Sequence, residues 1–256
     1  MRPFAVLPVI GAVVVACAGP PLPTPDVPKP DAARVNVAHV RLGERPLRVT
    51  VRACEELDVF ALDGRATLRT EHVAATLESR DAFRFRGPGD VSLTGDGEAV
   101  IARVDASTVH CEARGEYGVL RPSTDRTATL AAGKLTVDFR ADAPADANTA
   151  LAASLETLTA EGGFVVPPHT HAGTAETLYI ESGSGWMKLG ADERRVAPGT
   201  VIHIPPDTVH DLRLDPGESL RAIQLYAPSG PEQRFKAAAP TPAPTDAAPP
   251  ASADGQ

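Results

Sequence analysis

The sequence predicts an all-β protein, and three observations carry that prediction. From about Arg34 to Arg140 apolar and polar residues alternate, with Gly, Asp and Pro at frequent turns, as a succession of short strands requires. Further on, Glu176 opens the run Thr-Leu-Tyr-Ile, which has strand composition, and Val201-Ile-His-Ile follows the same habit. The alternating pattern of the first half also recurs in the second about 120 positions later. The 256 residues suffice for one or two compact domains once the ends are set aside. Hydrophobic residues make up 43% and charged residues 23%, as in ordinary globular proteins. A net charge of −8 argues against nucleic acid as a partner, because phosphate binding needs basic patches. With only 4% aromatics, the core must be built from Val, Leu, Ile and Ala.

The N-terminus reads as a targeting segment. Arg2 gives a short positive start, and Ala5 to Ala16 is an apolar stretch broken by Pro8. It is too short to span a bilayer comfortably and fits a signal h-region. Val14-Val15-Ala16-Cys17 resembles a bacterial lipoprotein lipobox. That resemblance implies loss of residues 1–16 and lipidation of Cys17, which would anchor the mature chain in the bacterial envelope, on a periplasmic or outer-membrane face. The alternative is an ordinary secretory signal that contains a cysteine. Residues 17–33 carry Pro20, Pro21, Pro23, Pro25, Pro28 and Pro30 and read as an extended spacer. With Cys17 lipidated, Cys54 and Cys111 remain as an even pair in an oxidising compartment; a disulfide between them is expected, against the alternative of two free thiols.

The chemistry concentrates in Gly163-Phe-Val-Val-Pro-Pro-His169-Thr-His171-Ala-Gly-Thr-Ala-Glu176 and in Pro205-Pro-Asp-Thr-Val-His210. His169 and His171 are two apart, so in a strand both point to one face. Ala172 to Ala175 is small and contains Gly173, as a tight turn needs. Three imidazoles and a carboxylate suit a divalent first-row metal: Fe, Mn, Zn or Ni. A lone strand histidine is more often hydrogen-bonded or half exposed, and His203 fits that description.

These residues resemble the two motifs of the cupin superfamily. Gly163, His169, His171, Glu176 and Gly183 match the first motif in full; Gly190, Pro198-Gly199 and His210 match the second more loosely, with Arg213 or Leu214 where an Asn is usual. The resemblance covers about residues 148–228 and implies a double-stranded β-helix, or jelly-roll barrel, that holds one metal ion through His169, His171, Glu176 and His210. Strand parity then sets the surroundings. With Glu176 inward, Leu178 and Ile180 also face in, while Thr177 and Tyr179 face a sheet or domain interface. His210 brings Leu212 and Leu214 inward. Met187 has better register than Trp186 for walling the cavity. His203 is a further candidate for the pocket, and Gln224 is either a pocket polar group or a solvent-facing edge residue.

Shifted back by 120 positions, His169 and His171 fall on Val49 and Val51, Glu176 on Glu56, Gly183 beside Gly64 and His210 near Asp90. This predicts two cupin barrels in one chain: a degenerate one over 34–147 without metal ligands, and a metal-binding one over 148–235. An unrelated first β-domain is the alternative. Glu56 reads as a surface carboxylate, and His39, His72 and His110 have no spacing partners. Residues 236–256, rich in Ala and Pro, read as a disordered tail. Two barrels in one chain would remove the need for a homodimer without excluding one.

Four protein ligands on a six-coordinate ion leave two positions for a small oxygenated or anionic molecule. A redox-active metal would suit a dioxygenase, and Zn or Mn as a Lewis acid would suit an isomerase or lyase. No separate general base stands out. The family resemblance also implies non-catalytic sugar and effector binders, so a binding or sensing lipoprotein is the second reading.

Overall fold

The computed structural model describes residues 34–105, 107, 117–142 and 152–238. Residues 1–33, on which the expected signal, the lipidated Cys17 and the extended spacer fall, and His110, Cys111 and residues 239–256 lie outside the described residues. Cys54 is disulfide-bonded. Among the described residues, no helix is long and apolar enough to cross a membrane.

The first unit contains β1 (Arg34–Arg41), β2 (Leu47–Val51), β3 (Glu55–Ala61), β4 (Ala66–Arg69), β5 (Ala74–Leu77), β6 (Ala82–Arg86), β7 (Gly89–Gly95), β8 (Glu98–Asp105) and β9 (Tyr117–Leu120). They form two antiparallel sheets, ordered β1-β8-β3-β6-β9 and β2-β7-β4-β5. The period of two in the sequence decides which side chains meet between the sheets. Val51, Leu57, Val59, Leu68, Phe83, Val91, Leu93 and Ile101 form a dry aliphatic and aromatic core, with Leu47 and Val49 packed against it.

The second unit contains β10 (Thr127–Leu130), β11 (Leu135–Ala141), β12 (Ser154–Ala160), β13 (Val165–His169), β14 (Ala175–Ser182), β15 (Gly185–Leu189), β16 (Asp192–Val196), β17 (Val201–Ile204), β18 (His210–Leu214) and β19 (Leu220–Ala227), followed by the short helix α1 (Gln233–Ala238). Its sheets run β10-β11-β12-β19-β14-β17 and β13-β18-β15-β16. Counting each unit's eight barrel strands from β1 and from β12, both have the order 1-8-3-6 in one sheet and 2-7-4-5 in the other. Both units are therefore jelly rolls of one topology. Even the turn after the third strand is shared. Gly183 and Gly64 both have left-handed backbone (φ 87° and 57°). A Cβ there would fall 2.1 Å from the Ser219 carbonyl oxygen or 2.7 Å from Gly97 Cα, so only glycine fits.

The two units share a third apolar cluster: Phe60, Val100 and Ala102 from the first meet Leu155, Tyr179, Ile223 and Leu225 from the second. Tyr179 is thus an interface residue, as strand parity predicts.

Three expectations are corrected. β10 and β11 pair with β12, so these strands belong to the second unit and not to a first domain ending at 147. Lys236 to Ala238, expected to open a disordered tail, instead complete α1. Glu56 is no surface carboxylate: it is 1% exposed and paired with Arg84 and Arg86. The 120-position shift slips by one across β3. Because successive strand residues face opposite sides, that slip trades an inward position for an outward one.

Candidate metal centre

β13, β14 and β18 bring the four residues together. His169 ends β13 directly opposite His210 at the start of β18, across the irregularity made by Pro167-Pro168. His171 follows β13, and Glu176 enters from β14 after the turn at Gly173, whose φ of 67° is left-handed. One ligand atom from each of His169, His171, Glu176 and His210 lies within 4.8 Å of all the others. Three of the four residues are buried and His169 is half-buried.

The hydrogen bonding prepares these groups for a cation. His169 Nδ1 lies 2.9 Å from the Pro167 carbonyl and His210 Nδ1 lies 2.8 Å from the Thr208 carbonyl, each two residues upstream. A carbonyl there fixes the proton on Nδ1 and leaves the Nε2 lone pair free. His171 Nε2 donates to Glu176 Oε2 at 2.9 Å. His210 Nε2 sits 3.1 Å from the same oxygen but has no hydrogen-bond partner. A buried ring nitrogen left unpaired beside a shared carboxylate oxygen is the arrangement an ion would complete. Gln224 Nε2 donates to Glu176 Oε1 and holds the carboxylate plane. Burial, reinforced by the neighbouring His210, Arg234 and His171, pushes the His169 imidazole down to about 4, against the pull of the Pro167 carbonyl. Burial disfavours charge on Glu176, yet the His171 bond and the nearness of His210 hold its carboxyl down at about 2. At neutral pH the pair is therefore a neutral imidazole and a carboxylate. The donor set and its geometry fit a divalent ion.

A cavity of about 330 Å3 opens onto this cluster. Leu178, Met187 and Leu212 line it, as strand parity predicts, and Gln224 lies inside the barrel and not at a solvent edge. Trp186 is 38% exposed, on the opposite face from Met187. His203 is corrected: it lies on the outer face of β17, with Nδ1 3.2 Å from Thr177 Oγ1, and does not reach the cavity. His39 bonds Glu98 at 3.0 Å on the first barrel.

Two residues escaped the sequence reading. Arg234 on α1 reaches over the rim, with Nη1 3.2 Å from His171 Nδ1 and Nη2 3.3 Å from His169 Nε2 and 2.9 Å from the Tyr226 hydroxyl. It stands just before the Ala/Pro-rich tail, where nothing in the pattern marks it. Glu156 on β12 faces inward with Leu158 and Ala160; only its shared parity with those two could have revealed it, and the consecutive polar pair Glu156-Thr157 hides that parity.

The corresponding positions of the first barrel follow from strand register. Met187 opposes Leu212 as Leu68 opposes Leu93, and Leu178 opposes Ile202 as Val59 opposes Phe83. On that frame His169 and His210, facing each other, match Val49 and Val91, which also face each other. His171 matches Val51. Glu176, opposite Ile204, matches Leu57, opposite Phe85. The inward carboxylate thus has an aliphatic counterpart and not Glu56.

Comparison with known proteins finds a match within the second barrel. Residues 156–226 match the family model described as Cupin domain. No curated protein sequence matches the chain. Among solved structures, AerE from Microcystis aeruginosa is similar with a TM-score of 0.58 at 10% identity, over 76% of this chain and 87% of that one. A single-residue mutant of oxalate decarboxylase from Bacillus subtilis is similar with a TM-score of 0.56 at 13% identity, over 77% of this chain and 69% of that one. A Cupin 2 conserved barrel domain protein from Leptotrichia buccalis gives 0.51 at 10% identity, over 76% and 83%. At these identities the likeness is one of fold.

Proposed function

Starting from a cupin domain in the second barrel, we propose that this protein is an envelope-tethered metalloprotein that acts on a small oxygenated or anionic molecule at His169, His171, Glu176 and His210. The observation that carries the reading is the meeting of those four ligand atoms within 4.8 Å, with the buried His210 Nε2 left unpaired. When bound, a divalent ion would supply Lewis-acid or redox chemistry and positions for a ligand. The residues do the rest. His169 and His210 keep their protons on Nδ1 against the Pro167 and Thr208 carbonyls. Gln224 orients Glu176. Leu178, Met187 and Leu212 give the cavity an apolar wall. The finer reading is a dioxygenase, with tethering through lipidated Cys17. The first barrel, with Val49, Val51, Leu57 and Val91 in the corresponding places, is proposed to be a copy that has lost its ligands and serves as a scaffold.

The reading stands or falls on His169→Ala/His171→Ala. Each ligand of a structural metal site contributes several kcal/mol, so stoichiometric metal in elemental analysis should fall to trace levels. Unchanged metal content would sink the proposal. Oxygen uptake by the loaded wild type across catechols, diketones and 2-oxo acids separates the enzyme from a binder: ligand binding without turnover of any of them favours the binding module.

A further inference from the structure

The guanidinium of Arg234 lies in an unusual place for a permanent cation. Among the described residues its hydrogen-bond partners are two imidazoles and a phenol, with no carboxylate among them. A guanidinium offers five donors in a planar fork and cannot shed its proton, so its natural partner is a carboxylate. Two of its present bonds use lone pairs that metal loading removes. His169 carries its proton on Nδ1, so the Nε2 lone pair that accepts from Arg234 is the one an ion needs. His171 donates from Nε2 and accepts from Arg234 at Nδ1. An ion held through Nε2 would require that proton on Nδ1, which then could not accept. Only the Tyr226 hydroxyl is left to hold the guanidinium at the rim.

The charges point the same way. Of the residues lining the cavity, two carboxylates, Glu176 and Asp211, would face a doubly charged ion and a guanidinium, which leaves an excess of positive charge at the lining itself; Glu156 and Glu232 are buried near Tyr226 but do not line it. An anion bound there offsets that excess and takes up the freed donors. The remainder of the cavity is apolar, walled by Leu135, Leu158, Phe164, Leu178, Leu220 and Phe235. Phe235 follows Arg234 on α1, so one short helix supplies both a charged contact and an apolar one.

We propose that Arg234 is the specificity-determining residue of the site and that the cavity takes a small carboxylate with an apolar body, its carboxylate on the Arg234 fork. The proposal rests on the metal-binding reading above and names the class of molecule that site accepts.

The test compares 4-methyl-2-oxopentanoate with 4-methylpentan-2-one, the same body without the carboxylate, by calorimetric titration of zinc-loaded protein. Wild type should prefer the acid. Charge-assisted bonds of this kind imply a loss of at least about tenfold in acid affinity for Arg234→Gln. Ketone affinity should be unchanged, and zinc should bind at least as tightly, because a competing cation has been removed. Equal acid affinity in the variant and wild type, with zinc stoichiometric in both, would overturn this proposal alone. Absence of zinc from wild type would overturn the metal reading and this one with it. If Arg234→Gln loses its fold by circular dichroism, Arg234→Lys replaces it. A charge without the planar fork should lose part of the acid affinity, and full retention would overturn the proposal.

Discussion

The two barrels share a strand order and differ in what they enclose. In the first, Val49, Val51, Leu57 and Val91 belong to or pack against a dry core; in the second, the same places hold His169, His171, Glu176 and His210 around an open cavity. The jelly roll therefore does not depend on the polar cluster. Pairing, alternation and the turns at Gly64 and Gly183 suffice to build it. The polar cluster is a cost to the second barrel, since buried imidazoles and a carboxylate are worth less to folding than packed aliphatic side chains. The first barrel keeps its buried charges elsewhere. Glu56, Asp58 and Arg84 lie on the outer face of β3 and β6, turned toward the second barrel, where Arg84 Nη1 bonds the Ala153 carbonyl at 2.8 Å.

That outward network offers the strongest way to break the comparison. Arg84 forms a two-pronged pair with Asp58, at 2.7 and 2.8 Å, and lies 3.1 Å from Glu56. Arg84→Met leaves the buried Asp58 without a counter-charge and Glu56 with Arg86 alone, which should cost about 3–5 kcal/mol in denaturant unfolding. A loss within experimental error would mean that water reaches this junction and that the barrels are less tightly joined than the shared cluster implies.

A smaller effect, of opposite sign, comes from turning the second interior into the first. Gln224, opposite Leu178 on β14, has Ile101, opposite Val59, as its counterpart. The fivefold variant His169→Val, His171→Val, Glu176→Leu, His210→Val, Gln224→Ile should fold and be about 1–4 kcal/mol more stable than metal-free wild type, as when buried ionic groups give way to apolar ones. Failure to fold would show that the polar cluster shapes the barrel, and the two units would then be alike in topology only.

The legibility of the two interiors differs for a physical reason. The four ligands can be read because their chemistry is rare and their spacing is set by a strand, a turn and a strand. The aliphatic counterparts have no such signature, so a uniform shift of 120 positions places Val49 and Val51 correctly and misses Leu57 and Val91 by one residue each. Pro167-Pro168 adds one residue to β13 relative to β2, and that extra residue misleads the count. Gln224 is undecided in the sequence because parity alone does not tell an interior strand from an edge; β19 proves to be central, between β12 and β14. Arg234 is invisible there because its role depends on how α1 folds back across the rim, a tertiary fact with no local pattern. β10 and β11 alternate like any first-half strand, and only pairing with β12 assigns them.

The smallest expected effect concerns Glu156, the charge that the second barrel holds without an evident partner. It lies opposite Gln224 on β19, where the first barrel has Ala38 opposite Ile101. It is fully buried, and neither of its oxygens has a hydrogen-bond partner. Burial, with the nearby Glu232 carboxylate, pushes its carboxyl well above the usual range. The folded state therefore keeps a proton that the unfolded state releases near the ordinary value of 4.5. The folded state binds more protons in that window, so this residue makes stability fall as pH rises from about 4.5 toward its folded value. Glu156→Gln imitates the protonated form at every pH and removes that slope. Its melting temperature should exceed that of wild type by a few degrees at pH 8, and the difference should shrink steadily toward pH 5. A constant difference, or one that grows toward acid, would show that Glu156 is ionised in the folded barrel, and a cation supplied from the metal centre or from Arg84 would then have to be compensating it.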